Sequence, residues 1–347
     1  MIDYPTHRSI RQRVELEFDD GVQGTTTSLG TTTTALDTSR VETTDYWRGG
    51  ELLQLEGADD GLARRVTAST TGTGLTTAAF PNAVPDDTDY ELVFNFNLTQ
   101  YNNAIYEAVR RARSLHWIPW WWDGLVIVAD TYDYDLPFRD SRVITIDVSS
   151  DVNTLLDSAL TQPADYWNGS RVVGLSGTAG NLGVVRYVED FNATTDALEL
   201  HQDLPATPAA ADTYQLTRFK PARLVYVEYI PSGGTLPQQV DFRNWTVVSR
   251  PHPMIRFQAG TMPPVDSTVR IYGYREPEVP SNDYHPVEVP EDYAVNQAYW
   301  QLLRSRPRRP DFLLDANDAN KREAWDKATL DLNRGRTKVP AQNKRVP

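Results

Sequence analysis

Thr34-Ala-Leu-Asp37, then Asp45-Tyr-Trp-Arg-Gly49, Leu55 and Gly57, returns 120 residues later as Thr154-Leu-Leu-Asp157, Asp165-Tyr-Trp-Asn-Gly169, Leu175 and Gly177. With small insertions the correspondence continues from Gly61, Arg64 and Val66 to Gly183, Arg186 and Val188, and from Pro81, Tyr90 and Leu92 to Pro205, Tyr214 and Leu216. Self-similarity at a fixed offset marks one structural unit used twice. Inside each copy the apolar runs are short, alternating, and broken by Gly, Pro, Asn and Asp, which is the pattern of a small all-β module. The two copies span 31–93 and 150–217. In each, Asp-Tyr-Trp-x-Gly reads as a strand entrance. The glycine permits a tight bend, and the pair Tyr46 and Trp47, or Tyr166 and Trp167, joins Tyr90 or Tyr214 in the module core. The same aromatics also suit a stacking platform for a sugar ring, and burial separates the two readings.

Working outward, residues 1–30 form an N-terminal arm, in which Gly24-Thr-Thr-Thr-Ser-Leu-Gly-Thr-Thr-Thr-Thr favours exposed extended backbone or an edge strand. Between the modules, Tyr101, Ala104, Ile105, Ala108, Ala112 and Leu115 share one helical stripe, with Thr99 placed to cap it. Arg110, Arg111 and Arg113 fall on the other side, where they suit phosphate, an acidic neighbouring subunit, or merely a solvated helix end that complements the dipole. Ile118-Pro-Trp-Trp-Trp-Asp-Gly should break the helix. Trp120, Trp121 and Trp122 cannot all enter one core, so at least one is expected to meet another segment or subunit.

Strands are expected at 125–129, 133–137 and 142–148, and after the second module at 223–230, 245–248, 253–258 and 267–274, completing one antiparallel framework. Two helices should close the chain, one from Pro290 to about Arg304 and one from about Ala316 to Arg334, the second with Ala324, Trp325, Ala328 and Leu332 inward and Gly335 as its stop. The expected fold class is therefore α+β: a small helical bundle plus an antiparallel β framework, with two repeated small all-β modules inserted. Its helical and β core is discontinuous, over 94–149 and 218–335, and 336–347 is an extended tail, either a docking peptide or a disordered end.

A chain of 347 residues with 40% hydrophobic residues, nine Trp and seventeen Tyr has ample apolar surface for more than one compact unit. Cysteine is absent, which excludes disulfides, thiolate metal sites and a cysteine nucleophile. His7, His116, His201, His252 and His285 lie far apart, without the close pair a helix turns into metal ligands. No G-x-S-x-G or phosphate-binding loop is present. Asp19-Asp20, Asp59-Asp60 and Asp86-Asp87 can in principle do acid–base work or hold calcium, but their turn-like contexts are simpler to read as solvated loops. No catalytic, cofactor or metal residues are assigned, and the chain is expected not to be an enzyme. With no signal-like start and no membrane-length apolar run, it is expected to be soluble and made in the cytoplasm.

The total charge of −13 argues against a surface that grips nucleic acid. From Gln301 onward, however, twelve Lys and Arg stand against six Asp and Glu, a surplus of +6 that leaves −19 on the rest.

The helix from Thr99, the stretch Tyr132-Asp-Tyr-Asp-Leu-Pro-Phe, strand Arg142-Val-Ile-Thr-Ile-Asp-Val, the run Val269-Arg-Ile-Tyr-Gly-Tyr-Arg-Glu-Pro, and Val289-Pro-Glu-Asp-Tyr opening an alanine-rich helix together resemble the head-to-tail adaptor, or connector, proteins of tailed bacteriophages. The resemblance covers roughly residues 98–149 and 222–335 and is architectural, without a strict motif. It implies a structural virion protein forming a homo-oligomeric ring, a dodecamer in that family, which joins the portal protein to tail or neck proteins and lines the DNA conduit. It also implies location at the head–tail interface of a virion assembled in the bacterial host, with no membrane partner, no cofactor and only transient contact with genomic DNA. On this reading Arg334, Arg336, Lys338, Lys344 and Arg345 dock on the portal, and Arg110, Arg111, Arg113, Trp120, Trp121 and Trp122 are candidates for subunit contacts. Another neck or tail position, or a carbohydrate-binding virion module, is the competing assignment.

Overall fold

The computed structural model describes residues 4–18, 20–148, 151–234, 236–249, 252–305 and 322–330. The fold is α+β and mostly β, with 17% helix and 35% strand, the strands in antiparallel sheets. The chain divides into two compact units, Tyr4–Ala112 with Glu278–Gly335, and Arg113–Pro277 together with the chain ends. The helices and the β framework, expected as one discontinuous core, thus belong to different units. Each has a separate apolar cluster, and the segment between the second and third helices closes on itself.

In the first unit, α1 (His7–Glu17), α2 (Leu98–Ala112) and α3 (Glu291–Ser305) bury one stripe each, with Ile10 and Val14 meeting Tyr101, Ile105 and Val109 and then Tyr293, Ala294, Ala298 and Leu302. A helical stretch at 322–330 adds Ala328 to this core, while Trp325 is partly exposed and stacks on Trp300. Leu332 lies outside the described residues. α2 starts two residues earlier than a cap at Thr99 would place it, and its cap is Asn97. Asn97 Oδ1 accepts from the Gln100 amide at 2.8 Å and Gln100 Oε1 accepts from the Asn97 amide at 2.9 Å. This reciprocal box satisfies two otherwise orphaned donors and stabilises a helix by about 1 kcal/mol. Leu115 lies beyond the end of α2 and is exposed.

Of the two readings of the Thr-rich stretch, the edge strand holds, and the described part of 1–30 is built into the unit rather than forming a separate arm. Thr6 caps α1, and the Thr-rich stretch supplies both edge strands of the first β-module, β1 (Val22–Thr25) and β2 (Ser28–Thr31). Apolar periodicity misses α1 because three of its five buried residues, His7, Arg11 and Glu15, are polar. Arg11 is buried with its guanidinium on Asp283 at 2.7 and 2.8 Å and its Nε on Glu91 at 3.0 Å. Burial opposes the charge on Arg11, but Glu91 and Asp283 hold it protonated. Burial, and then the neighbouring Glu91, pushes the Glu15 carboxyl up to about 11.

The first module continues with β3 (Thr34–Leu36), β4 (Glu51–Gln54), β5 (Ala63–Thr70), β6 (Gly74–Thr77) and β7 (Asp89–Val93), in the order β1-β7-β4-β5-β6-β3-β2. The second unit opens with β8 (Ile118–Val126) and β9 (Asp133–Asp135). Its β-module then comprises β10 (Asp140–Thr145), β11 (Thr154–Leu156), β12 (Arg171–Ser176), β13 (Val185–Asn192), β14 (Ala197–Leu200) and β15 (Thr213–Arg218), in the order β10-β15-β12-β13-β14-β11. Strand for strand this is the order of the first module, with β2 as the first copy's addition. The register agrees as well: Leu52 sits opposite Leu92 and Arg64, as Val172 sits opposite Leu216 and Arg186. Even the irregularity recurs, between Val66 and Ala68 and between Val188 and Asp190. The modules therefore begin near residues 22 and 140, and the strand expected to give 142–148 to the framework belongs to the second copy.

The turns before β4 and its counterpart β12 are held in the same way. Asp45 and Asp165 adopt φ of 64° and 63°, a region that Asp tolerates better than most residues, and Gly49 and Gly169 follow at 98° and 74°. The Gly49 amide donates to Val66 and the Gly169 amide to Val188, both at 2.9 Å. These bends drive Trp47 and Trp167 inward, leaving them 5% and 0% exposed, with Tyr90 and Tyr214 buried beside them. Tyr46, expected in the core, is 58% exposed because adjacent side chains of the turn diverge. Its counterpart Tyr166 is only partly buried.

The remaining strands are β16 (Arg223–Ile230), β17 (Gln238–Gln239), β18 (Trp245–Val248), β19 (Met254–Phe257) and β20 (Thr268–Arg275). They form two sheets rather than one, β17-β16-β20-β8 and β18-β19-β9, which share a core that includes Val227, Ile255, Phe257, Val269 and Ile271. The Trp triplet lies within β8, which is longer and earlier than expected. Pro119 is tolerated there because β8 is an edge strand. Period-two alternation sends Trp120 and Trp122 into the core and Trp121 to the opposite face, where its backbone passes Gly169 so closely that a Cβ there would lie 2.6 Å from the Trp121 carbonyl.

Two outcomes follow for stability. Trp167→Ala removes the largest fully buried side chain and should cost about 3–5 kcal/mol in urea unfolding, whereas Tyr46→Ala should shift the midpoint little. Because the folded state raises the Glu15 carboxyl, its contribution to stability is complete below the unfolded value of 4.5 and is lost as pH rises above it. Glu15→Gln, which mimics the protonated acid, should therefore leave Tm unchanged near pH ~4 and raise it above the parent at pH ~8, as read by calorimetry.

Candidate interaction surfaces

The residues singled out for subunit contacts divide by what holds them. Trp120 and Trp122 belong to a core cluster. Arg111 lies over the rings of Trp300 and Trp325 at 5.0 and 6.0 Å, and Arg113 Nε donates to the Pro277 carbonyl at 3.2 Å, so both are engaged within the chain. Arg110 is exposed and paired with Glu107 one turn back. Trp121 is partly buried against Gly169, with Arg270 at 5.9 Å from its ring. Arg334, Arg336, Lys338, Lys344 and Arg345 lie outside the described residues. Trp47 and Trp167 have no face open to a sugar ring, so the two repeated tryptophans are module cores.

The paired carboxylates are occupied by backbone and side-chain donors. Asp20 accepts from the amides of Phe94, Asn95 and Phe96 and from the Tyr101 hydroxyl, stapling the loop that enters α2. Asp59 accepts from the Asn82 amide and Nδ2, and Asp60 from the Tyr284 hydroxyl. Asp86 and Asp87 are exposed, the latter at a turn with φ of 51°, and Asp19 is outside the described residues. Glu15 and Glu91 form a hydrogen-bonded carboxyl pair, and both are buried. Among the described residues, no three His, Asp or Glu side chains gather into a metal-binding group.

One concave feature was not anticipated from the sequence. In the second unit a cavity of about 380 Å³ is lined by Trp122, Leu136, Pro137, Phe138, Pro253 and the polar residues Asp135, Arg218, Lys220 and His252. Four segments build it. The end of β15 carries Arg218, the core face of β8 carries Trp122, and the turns after β9 and before β19 bring Phe138 and His252. Arg218 is only 7% exposed, yet its Nε has no hydrogen-bond partner. Rings surround it instead: Tyr166 at 4.1 Å and Trp122 and Phe138 at 5.6 Å from the guanidinium carbon. Burial lowers its proton affinity, and Tyr166 and Asp140 only partly restore it. Lys220 is exposed at the rim, and His252 pairs with Asp135. The signal in the sequence that points here is the departure from the repeat, since the position of Arg218 is Phe94 in the first module.

Comparison of the sequence with protein-family models and with curated proteins finds no match in either.

Proposed function

We propose that the protein is a non-enzymatic virion subunit that forms a ring at the head-to-tail junction of a tailed bacteriophage, joining portal to tail or neck and lining the DNA conduit. The observation that carries this reading is the layout of the resembling stretches. α2 and α3, the latter opened by Val289-Pro-Glu-Asp-Tyr with the Pro290 carbonyl accepting from Ala294 at 3.0 Å, pack together as a helical layer, and the β-modules are elaborations outside that layer. The charge distribution supports it too. A body of −19 repels a sliding polyanion instead of gripping it, and the basic segment beyond Arg334 offers Arg336, Lys338, Lys344 and Arg345 to acidic or backbone acceptors on the portal. Heterologous side-to-side contacts that close by rotation give a ring, with twelve copies matching the resembled family.

Cryo-EM of native particles should place a closed ring of this chain beneath the portal; its presence as an isolated monomer in the assembled virion ends the proposal. For the tail, deletion of 336–347 should leave the thermal unfolding of the body unchanged and abolish capture by portal-bearing capsids, with capture by the intact chain weakening as salt rises. Unchanged capture by the truncated chain assigns attachment to another surface.

A further inference from the structure

The Arg218 cavity has no role in the ring reading, and its composition is selective. A guanidinium removed from water is costly unless something compensates its charge. Here aromatic faces, the Tyr166 hydroxyl and the charge of Asp140 supply part of that compensation, but Nε is left without a partner. Lys220 adds a second positive charge at the rim, while the acid in the lining, Asp135, is engaged by His252. The walls are otherwise apolar, from Trp122, Leu136, Pro137 and Phe138, and Phe138 stands largely exposed at the edge. The repeat makes the contrast internal to the molecule: where the second module has Arg218 beneath Tyr166, the first has exposed Phe94 and exposed Tyr46. The shared fold therefore does not require a cation at this position.

We infer that this cavity receives a carboxylate side chain from an acidic, apolar-flanked segment of a partner polypeptide. The carboxylate would supply Arg218 with a charge-assisted hydrogen bond, Lys220 would favour its approach, and the flanking apolar group would cover Phe138 and Pro137. A polypeptide fits better than nucleic acid. The chain carries −13 overall, which repels a polyanion at long range, and a cavity of about 380 Å³ with apolar walls accommodates one acidic side chain and its neighbour rather than a run of phosphates.

The test uses the purified full-length chain and a fluorescently labelled peptide, acetyl-Phe-Asp-Asp-Phe-amide, with its Asn-Asn counterpart as control. Anisotropy should show binding of the acidic peptide, with the amide version weaker by about tenfold or more, the scale of a lost charge-assisted contact. Arg218→Met should weaken the acidic peptide by a similar factor. Since Arg218 is buried and its replacement can disturb the fold, Lys220→Gln at the exposed rim provides a second reading: it should weaken binding about two- to fivefold with Tm unchanged. Inorganic phosphate and a short single-stranded oligonucleotide serve as competitors, and neither should displace the peptide at concentrations where unlabelled acidic peptide does. Equal binding of the two peptides, absence of binding by both, indifference to Lys220→Gln, or displacement by the oligonucleotide would overturn the inference.

Discussion

Each β-module is organised by one buried indole. Trp47 and Trp167 enter their cores from a turn in which Asp takes a positive φ and a glycine follows four residues later, and the strand that starts there pairs on both sides in the same register. Moving the indole would empty the centre of the module, and replacing the turn would misdirect the strand that carries Leu52 or Val172. Slipping that strand by one residue would turn its apolar face to water. The shared bulge in β5 and β13 belongs to the same constraint, because it falls where the long strand passes from pairing with β4 or β12 to pairing with β6 or β14, all antiparallel. Side-chain volume, backbone conformation and register are thus mutually dependent, which explains how two copies keep one strand order while differing at many positions.

Cations in this protein are repeatedly held by rings. Arg111 lies over Trp300, Arg142 over Trp167, Arg270 over Trp121, and Arg218 over Tyr166. An aromatic face attracts a guanidinium without requiring a second desolvated charge, so it positions the group at lower electrostatic cost than a buried carboxylate. The Arg11 cluster takes the other route, with Glu91 and Asp283 as direct partners in a site closed to water. That route fixes α1 against the loop around Asp283 but obliges Glu15, next to Glu91, to keep its proton. The two solutions differ in what remains available. Every nitrogen of the Arg11 guanidinium has a carboxylate partner, whereas the ring-held guanidinium of Arg218 has an Nε without one.

The duplication, the α+β class, the stripe of α2 and most strands after the second module were legible because they rest on local signals: repeat spacing, periodicity and turn residues. What was not legible rests on long-range partners. α1 was hidden because Arg11 and Glu15 are buried through contacts with Glu91 and Asp283, which no local window reveals. β1 and β10 were misassigned because strand membership depends on pairing, and the sequence match starts only after them. The Trp triplet was read as a break since Pro119 argues against a central strand; on the edge strand it occupies, the missing amide costs nothing. Of the candidate contact residues, Trp120, Trp122, Arg111 and Arg113 are consumed within the chain, and the cavity around Arg218 depends on four separated segments.

The comparison of the two modules also indicates where function should be sought. Both bury a tyrosine hydroxyl that must be satisfied, and they satisfy it differently. Tyr90 donates to Asp37 and accepts from Arg40 Nε at 2.7 Å, while Tyr214 accepts from Asn181 Nδ2 at 3.1 Å. Since either arrangement supports the same fold, the choice of polar partner is not dictated by the module and is free to change with the surface around it. The same logic applies to Phe94 and Arg218, and to Tyr46 and Tyr166, which occupy equivalent places but lie open in one copy and are buried or partly buried in the other. Positions shared by the copies carry the constraint of folding. Positions at which they diverge, and where a buried charge has entered at electrostatic cost, call for a local explanation that the fold does not provide.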